Sequence, residues 1–314
     1  MYRILITGVG AIIGYGIIKT IKMSCFNAYI VGCDIYEDAV GQKWCNKFYQ
    51  AIPSASDTYI SFLTDLIEKE KIDLVFFGTE QEILKCATET FSYRNICVLN
   101  NRFLIHLAQD KWDTHCYLKE HFFQTIPTFI EGSYEDLSAI LGNKLLLKPR
   151  NSYASKGIVE VSSKEEFIFW KKKMGTSFMA QQIVGNKQEE YTASIFGYGD
   201  GTSTNCICLR RKLGQDGATW IAEVCANETI FEEVGKLTKL LKPVGPTNYQ
   251  FRIHQGNAML LEINPRISSA TSIRAIFGFN EAELCIKFWM ECTKQTALEI
   301  RKGKAVRYIA DLLL

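Results

Sequence analysis

The first third of the chain alternates apolar strand patterns with amphipathic helical patterns, and this alternation limits the fold more than any other feature of the sequence. Four segments have the composition of buried strands: YRILIT (2–7), AYIVGCD (28–34), DLVFFGT (73–79) and NICVLN (95–100). Helical patterns follow the glycine-rich GVGAIIGYG and cover 61–72 and 80–91. Strands that alternate with helices form a parallel, doubly wound sheet. We therefore predict an α/β, Rossmann-like domain over residues 1–105.

The rest of the chain has a different pattern and predicts two further units. After the first domain come a helical pattern over 104–121 and two strand patterns, KLLLKPR (144–150) and GIVEVSS (157–163). From residue 178 onward, short strands are joined by turns, which is typical of a mostly antiparallel α+β fold. We predict a small subdomain over 106–177 and a large subdomain over 178–314.

Composition excludes several classes of protein. The chain has 314 residues, 47% of them hydrophobic and 22% charged, with a formal net charge of +2. This balance is typical of a globular protein without a basic field for nucleic acid, and no run approaches the roughly 18–20 apolar residues of a membrane span. The eleven cysteines lack any C-x-x-C pair, as expected for reduced thiols. We predict a cytoplasmic protein with no nucleic-acid or membrane partner, and leave open whether it forms a homo-oligomer.

The stretch LLEINPRISSAT (260–271) places polar side chains at alternate positions at the end of an apolar strand. Glu262, Asn264 and Arg266 would point the same way, because side chains alternate across a strand. Gln250 on the preceding strand would lie opposite Glu262 if a loop with an odd number of residues joined the two strands, for example a three-residue loop with a left-handed glycine. Carboxylate and amide oxygens are ligands that Mg²⁺ accepts. The alternative is an edge hairpin with a polar face toward solvent.

This hairpin resembles the metal-binding hairpin of the ATP-grasp superfamily, in particular that of its carbamoyl-phosphate-synthase-like ligases. The family ends its ATP site with a strand of the form E-x-N-P-R, preceded by a strand that carries an acid or a glutamine, and the present sequence matches both. The resemblance implies that Gln250, Glu262 and Asn264 hold Mg²⁺, or Mn²⁺ as a substitute, between the phosphates of ATP. It also implies that Arg266 contacts the transferred phosphate. It covers nearly the whole chain, from a pre-ATP-grasp domain to an ATP-grasp fold whose two subdomains enclose ATP.

A second matching segment, LLLKPRNSYASKGIVEV (145–161), contains a strand, a loop of small residues and another strand. Lys148 matches the lysine that contacts an ATP phosphate in the family, and a lysine at the end of a buried strand needs an anion or solvent. The loop 151–157, with Ser155 and Gly157, would close over the phosphates through its backbone N–H groups. It has fewer glycines than the family's loop, so we expect a stiffer lid. Lys111 in QDKWDT matches another phosphate-binding residue, with a surface lysine on a helix as the alternative.

The segment AQQIVGNKQEEYTASIF (180–196) resembles the family's adenine hinge. The resemblance implies that the adenine edge meets backbone groups of Gln182, Ile183 and Val184. It also implies that Glu190 holds the ribose hydroxyls, although the inserted NKQ leaves Glu189 as an alternative.

Two further segments are candidate contacts for substrate or phosphate. LRRKLGQDGATW (209–220) carries Arg211, which resembles an arginine that contacts phosphate or a substrate carboxylate in the family; a solvated basic edge is the alternative. Gly78-Thr79-Glu80, after an apolar strand, and the turn 268–271 are candidate substrate contacts that specify no molecule.

The segment GVGAIIGYG also raises the alternative of a nicotinamide-dependent oxidoreductase. Asp34 ends the second strand, where a ribose-binding acid would lie. The dinucleotide motif G-x-G-x-x-G, however, requires its third glycine at position 13, which is Ile13. A non-catalytic ATP-binding regulator is a third class.

The residues and the resemblance together predict an ATP-dependent ligase that acts on a small-molecule carboxylate and an amine. The carboxylate would attack the γ-phosphorus of ATP while the metal, Lys148, Arg266 and Arg211 offset the negative charge. An acyl phosphate would form, and an amine, or alternatively a thiol, would displace the phosphate.

Overall fold

The computed structural model describes residues 1–151, 157–186, 189–214 and 217–313, and these residues form three sheets that follow one another along the chain. Within these ranges, none of the helices combines the length and the apolar character needed to cross a membrane.

The first sheet is parallel, as predicted, with strand order β3-β2-β1-β4. Its strands are β1 (Tyr2–Thr7), β2 (Ala28–Asp34), β3 (Lys47–Gln50) and β4 (Leu74–Phe76). Its helices are α1 (Ile12–Met23), α2 (Tyr59–Glu70) and α3 (Glu80–Thr88). The predicted strand over 95–100 is wrong, because Arg94–Ile96 form a 3-10 turn whose backbone groups bond to each other and leave a single bridge from Cys97 to Val75.

The predicted single helix over 104–121 is also wrong, because the chain forms two helices that meet at Asp110. These are α4 (Arg102–Gln109) and α5 (Lys111–Glu120). Asp110 has an extended backbone, and its carboxylate accepts hydrogen bonds from the N–H groups of Trp112 and Asp113. Aspartate is a strong N-cap, so the sequence of this segment starts a new helix instead of continuing the first one.

The second sheet is small and antiparallel, with strand order β5-β8-β6-β7. Its elements are β5 (Thr128–Phe129), α6 (Tyr134–Leu141), β6 (Leu145–Pro149), β7 (Val159–Val161), α7 (Lys164–Met174) and β8 (Phe178–Gln182). The pairing of β6 with β7 confirms the predicted return strand. Because β8 pairs with β6, this sheet extends to Gln182, five residues past the end that the sequence predicted for the small subdomain.

The third sheet is antiparallel, as predicted, with strand order β13-β12-β9-β10-β11-β14. Its strands are β9 (Glu190–Tyr198), β10 (Ile207–Leu213), β11 (Thr219–Val224), β12 (Val244–His254), β13 (Asn257–Asn264) and β14 (Lys304–Val306). Its helices are α8 (Glu228–Leu241), α9 (Thr271–Ile276) and α10 (Glu281–Glu291). Apolar side chains of α8 pack against β9, β12 and β13 on one face of this sheet.

The first and third sheets share one hydrophobic core. Ile17 and Ile21 of α1 lie in the same buried cluster as Phe196 of β9 and Ile273 of α9. Apolar contacts therefore hold the N-terminal domain against the large sheet, next to the segment that follows β13.

A fully buried ion pair follows the β12–β13 hairpin. Arg274 of α9 donates to both carboxylate oxygens of Glu281 in α10, at 2.9 and 2.8 Å, and to Ser268 Oγ at 2.8 Å. Because neither side chain reaches solvent, removing one partner would leave the other charge uncompensated. This pair fixes the chain between the hairpin and α10.

We predict that Glu281→Gln lowers the free energy of unfolding by about 3 kcal/mol, because Arg274 keeps its charge without a counter-charge. Urea unfolding curves measure this change. The matched control is Glu283→Gln, whose partly exposed carboxylate pairs with Lys287 one turn along the same helix and whose loss should cost below about 0.5 kcal/mol. Equal effects of the two substitutions would contradict the prediction.

Candidate functional site

The β12–β13 hairpin places Gln250 opposite Glu262, as predicted, but by a different route. The connecting turn has two residues, Gln255 and Gly256, both with positive φ (51° and 82°), as in a type I′ turn. The predicted three-residue loop is therefore wrong. The pairing is restored by a β-bulge, since Phe251 pairs with Leu260 while Gln250 pairs with Glu262.

The bulge changes which side chains share a face of β13. Met259 and Leu261 pack in a small apolar cluster with Ile126 and Val184. A regular strand would turn Glu262 away from Leu261, toward α8. The extra residue shifts the alternation by one position. Leu261 and Glu262 therefore line the same surface.

Gln250, Glu262 and Asn264 line a common cleft of about 260 Å³ together with Arg211 and Arg266. We call it the hairpin cleft. The predicted metal ligands and the two predicted catalytic arginines are thus brought to one place.

The donor set of the hairpin cleft is one carboxylate and two amides. In the described part of the chain, no three His, Cys, Asp or Glu side chains form a group that could hold a metal. Asn264 is nearly buried, and no described group pairs with its Nδ2. Gln250 Oε1 already accepts a hydrogen bond from Arg211 at 2.8 Å, and its second lone pair remains for another partner. Such hard oxygens fit Mg²⁺, which takes few carboxylates and completes its shell with phosphate or water.

Arg211 connects two polar side chains at the hairpin cleft through hydrogen bonds. It is buried, and its Nη2 donates to Glu190 at 2.7 Å as well as to Gln250. Arg252 donates to the other oxygen of Glu190 at 3.1 Å. Of the two alternative acids, Glu190 is therefore buried between two arginines, whereas Glu189 is exposed. A ribose contact of Glu190 remains a prediction.

Arg266 extends from the hairpin to the N-terminal domain. Its Nη2 donates to Glu80, the first residue of α3, at 2.9 Å, and its Nη1 donates to the Ile267 carbonyl. The side chain of Glu80 is 47% exposed and that of Arg266 16%. The N-terminal domain thus supplies a carboxylate directly beside the predicted phosphate-binding arginine.

Lys148 lies buried at the end of β6, where its Nζ donates to Gln181 Oε1 at 2.9 Å. Burial lowers the pKa of Lys148 from its usual value to about 8, and the neighbouring Lys111 adds to the effect. Lys111 lies 3.8 Å from Glu262. A buried lysine whose pKa is lowered by burial and by a second lysine marks a candidate functional site.

Lys111 is placed by contacts between α5 and β6. Arg150, next to the last residue of β6, pairs with Asp110 at 2.7 Å and with Asp113 at 3.2 Å. The N–H of Lys111 donates to the Arg150 carbonyl at 3.2 Å. The beginning of α5 is therefore fixed against the strand that carries Lys148.

The predicted adenine hinge is only partly free for new contacts. The N–H of Gln182 donates to the Pro127 carbonyl at 3.0 Å, so this donor is already used. Val184 is buried in the apolar cluster beside Leu261. Ile183, between Gln182 and Val184 in the sequence, is half-buried.

Part of the predicted phosphate loop can be placed. Ser155 lies outside the described residues, as do Ser152 and Ala154. Gly157 is described and has φ of 76°, and a Cβ there would lie 2.9 Å from the Pro149 ring. This glycine is therefore needed where the chain passes close to the end of β6.

Glu262 lines two further clefts besides the hairpin cleft. The lysine cleft, about 40 Å³, includes Lys111, Lys148 and Gln181. The α3–α4 cleft, about 210 Å³, includes Ile83 of α3 and Ile105 of α4 and shares Glu80 and Arg266 with the hairpin cleft. Glu262 is therefore the point where three clefts meet.

The N-terminal glycines have structural roles in this fold. Gly8 has φ of 56°, and a Cβ on Gly14 would lie 2.1 Å from the Gly8 carbonyl oxygen. Asp34 is nearly buried, and its carboxylate accepts from the N–H groups of Gly10 at 2.7 Å and Tyr36 at 3.0 Å. In a dinucleotide-binding protein, an acid at this position binds the ribose. Here the Asp34 carboxylate binds backbone N–H groups of the chain instead.

Several partners in the site escaped the sequence analysis. Gln181, Arg252 and Arg150 bond to Lys148, Glu190 and Asp110 across large sequence separations. No local pattern marks Gln181 or Arg150, whereas Arg252 alternates with Gln250 on the same strand and the Asp110 cap in QDKWDT could have been recognised beforehand.

Residues 178–312 match the family model described as ATP-grasp in the biosynthetic pathway with Ter operon. No sequence among the curated proteins matches the chain.

Solved structures with the same architecture include several enzymes. N5-carboxyaminoimidazole synthetase from Staphylococcus aureus, complexed with ADP, is 16% identical, with 95% of this chain and 80% of that chain covered and a TM-score of 0.72. Biotin carboxylase from Campylobacter jejuni, in a β,γ-ATP complex, is 15% identical over 96% and 74%, with a TM-score of 0.76. L-amino acid ligase from Bacillus licheniformis is 15% identical over 92% and 74%, with a TM-score of 0.71. These matches confirm the predicted ATP-grasp fold with its preceding Rossmann-like domain.

We predict that Asp110→Ala lowers the free energy of unfolding by about 1–2 kcal/mol, because it removes the cap of α5 together with the main partner of Arg150. Asp113→Ala is the matched control, since Asp113 contacts the same arginine but is 59% exposed and caps nothing. Its loss should cost below about 1 kcal/mol. Urea denaturation of both variants checks the order, and a larger effect of Asp113→Ala would refute the capping role.

Proposed function

From its ATP-grasp fold we propose that this protein is an ATP-dependent ligase that activates a small-molecule carboxylate as an acyl phosphate and joins it to a nucleophile. The observation that carries the proposal is the position of Glu262, which lies where three separate clefts meet. A ligase of this kind brings three reactants to one point: the nucleotide, the carboxylate and the nucleophile. The family match and the similar solved structures support the same class of reaction.

The lysine cleft is the proposed entry for the ATP phosphates. Lys111 and Lys148 provide two cations there, and the apolar cluster of Val184, Met259 and Leu261 provides a surface for a base. At about 40 Å³ the cleft is too small for a nucleotide, which needs several hundred Å³. We therefore propose that the walls of this cleft, which come from the small sheet, α5 and the β12–β13 hairpin, separate when ATP binds.

The hairpin cleft is the proposed place of phosphoryl transfer. Gln250, Glu262 and Asn264 would hold Mg²⁺, which when bound supplies charge neutralisation for the phosphoryl oxygens. An oxygen of the substrate carboxylate attacks the γ-phosphorus, the bond to ADP breaks, and an acyl phosphate forms. Arg266 donates to the transferred phosphoryl group. The nucleophile then attacks the acyl carbon and inorganic phosphate leaves.

Arg211 supports this chemistry through other residues. Its hydrogen bonds hold Gln250 at the cleft wall and connect it to the buried Glu190 carboxylate. A cation at that position also lowers the cost of gathering carboxylate and phosphate oxygens in a partly buried site.

We predict that the affinity for MgATP falls as the pH rises above about 8, by up to about tenfold per pH unit. The pKa of Lys148 is lowered, so its ammonium loses a proton at about pH 8, and the cation that faces the phosphates disappears. Calorimetric titration between pH 7 and 9.5 measures the change. Lys148→Arg is the control, because a guanidinium stays charged over this range, and its profile should be flat. A wild-type profile as flat as that of the variant would contradict the role of Lys148.

The proposed function is tested by ADP release and by hydroxylamine trapping of an acyl phosphate, with MgATP and a panel of amino acids and carboxylic acids. We expect Glu262→Gln to lower carboxylate-dependent ADP release by about a hundredfold or more, because the charge that neutralises the metal is lost. It should also shrink the thermal stabilisation by MgATP.

The matched control is Glu223→Gln in β11, whose carboxylate pairs with Arg210 at the sheet surface and should be dispensable. Full MgATP stabilisation and full ADP release in Glu262→Gln would refute the ligase site. Stabilisation of the wild type by MgATP without any hydroxamate would favour the alternative of a non-catalytic ATP-binding regulator.

A further inference from the structure

The α3–α4 cleft has an apolar wall and a charged inner end. Ile83 and Leu84 of α3 and Ile105 and Ala108 of α4 line its space of about 210 Å³, and the first three belong to one packed apolar cluster. At the inner end lie Glu80, Glu262 and Arg266, the residues shared with the hairpin cleft. The α3–α4 cleft therefore leads from an apolar surface directly to the proposed site of the acyl phosphate.

At the inner end, the Glu80 carboxylate depends on a single cation. Arg266 is the one cation among the described residues that line this cleft, and Glu80 already pairs with it at 2.9 Å. The second carboxylate, that of Glu262, has its own cation in Lys111 at 3.8 Å. When Arg266 binds an anionic phosphoryl group instead, the half-exposed Glu80 carboxylate loses its cationic partner. A cationic ligand would replace that partner.

We propose that the α3–α4 cleft binds the nucleophile of the ligase, and that this nucleophile is a primary amine with an apolar body whose ammonium group is held by Glu80. The inference rests on the proposed function and makes it more specific, since a neutral thiol could not replace the cation that Glu80 loses. The apolar body would lie against Ile83, Leu84 and Ile105.

The position of Glu80 also suits the proton that must be removed. An ammonium ion has no lone pair, so it must lose a proton before it can attack. One proton passes to the Glu80 carboxylate, the free amine attacks the acyl carbon, the carbon–oxygen bond to phosphate breaks, and the leaving phosphate takes up the second proton of the amine nitrogen. Because Glu80 lies 2.9 Å from Arg266, the released amine would lie beside the group that Arg266 holds. Glu80 is thus assigned as a catalytic residue.

The test separates the second half of the reaction from the first. Hydroxylamine is uncharged at neutral pH and traps acyl phosphates without needing a carboxylate. Primary alkylamines such as isoamylamine are ammonium ions at the same pH. With MgATP and each carboxylate of the panel, hydroxamate formation reports on acyl phosphate, and amide formation with the alkylamines reports on the α3–α4 cleft.

We expect Glu80→Gln to keep hydroxamate formation within about threefold of the wild type and to lose amide formation by about tenfold or more, because a charged hydrogen bond and the proton acceptor are both removed. The matched control is Glu89→Gln, at the C-terminal end of the same helix, where the carboxylate pairs only with Lys85 among the described contacts. This control should keep both products.

Two results would overturn the inference while the proposed function stands. One is a parallel loss of hydroxamate and amide in Glu80→Gln, which would make the Glu80–Arg266 pair a support of the first half-reaction. The other is hydroxamate formation by the wild type without amide from any alkylamine. Absence of hydroxamate from the wild type with every carboxylate would overturn the proposed function itself, and the inference with it.

Discussion

The bulge at Leu261 is the local constraint on which the site depends. In a regular strand, consecutive side chains point to opposite faces. This hairpin needs the consecutive residues Leu261 and Glu262 on the same face. The extra residue lets Leu261 join the cluster with Val184 while Glu262 takes its place opposite Gln250. Without this irregularity, Leu261 in the apolar cluster and Glu262 in the hairpin cleft could not lie on one face of the strand.

Most charged side chains of the site have an oppositely charged side chain beside them. Lys111 lies near Glu262, Arg266 pairs with Glu80, and Glu190 lies between Arg211 and Arg252. Buried or half-buried charges are costly unless paired, so a site for a polyanion keeps its cations near carboxylates. Lys148 is the exception: its described hydrogen bond goes to a neutral amide, and burial together with the nearby Lys111 lowers its pKa. Its ammonium therefore has the most to gain from an incoming phosphate.

Sequence patterns predicted what depends on local alternation and missed what depends on distant partners. The pairing of Gln250 with Glu262 followed from alternation, yet the turn was mistaken, because a two-residue turn with a bulge and a three-residue loop give the same pairing. The break at Asp110 was missed although Asp is a strong cap, and the residues after it bury only Leu118. The bond between Arg266 and Glu80 joins residues 186 positions apart, and no spacing rule can reach that far.

The shared core explains how such a distant contact can serve chemistry. Glu80 begins α3 directly after β4, and Thr7 and Thr79 hold that turn through hydrogen bonds to the buried Glu82 carboxylate at 2.6 and 2.8 Å. Burial raises the pKa of Glu82, and the hydrogen bonds oppose the shift. The same sheet is fixed to the segment after β13 by the cluster around Ile17 and Ile273. The distance between Glu80 and Arg266 is therefore set by packed elements on both sides, which is the condition for a carboxylate to position a reactant rather than merely to pair with a neighbour.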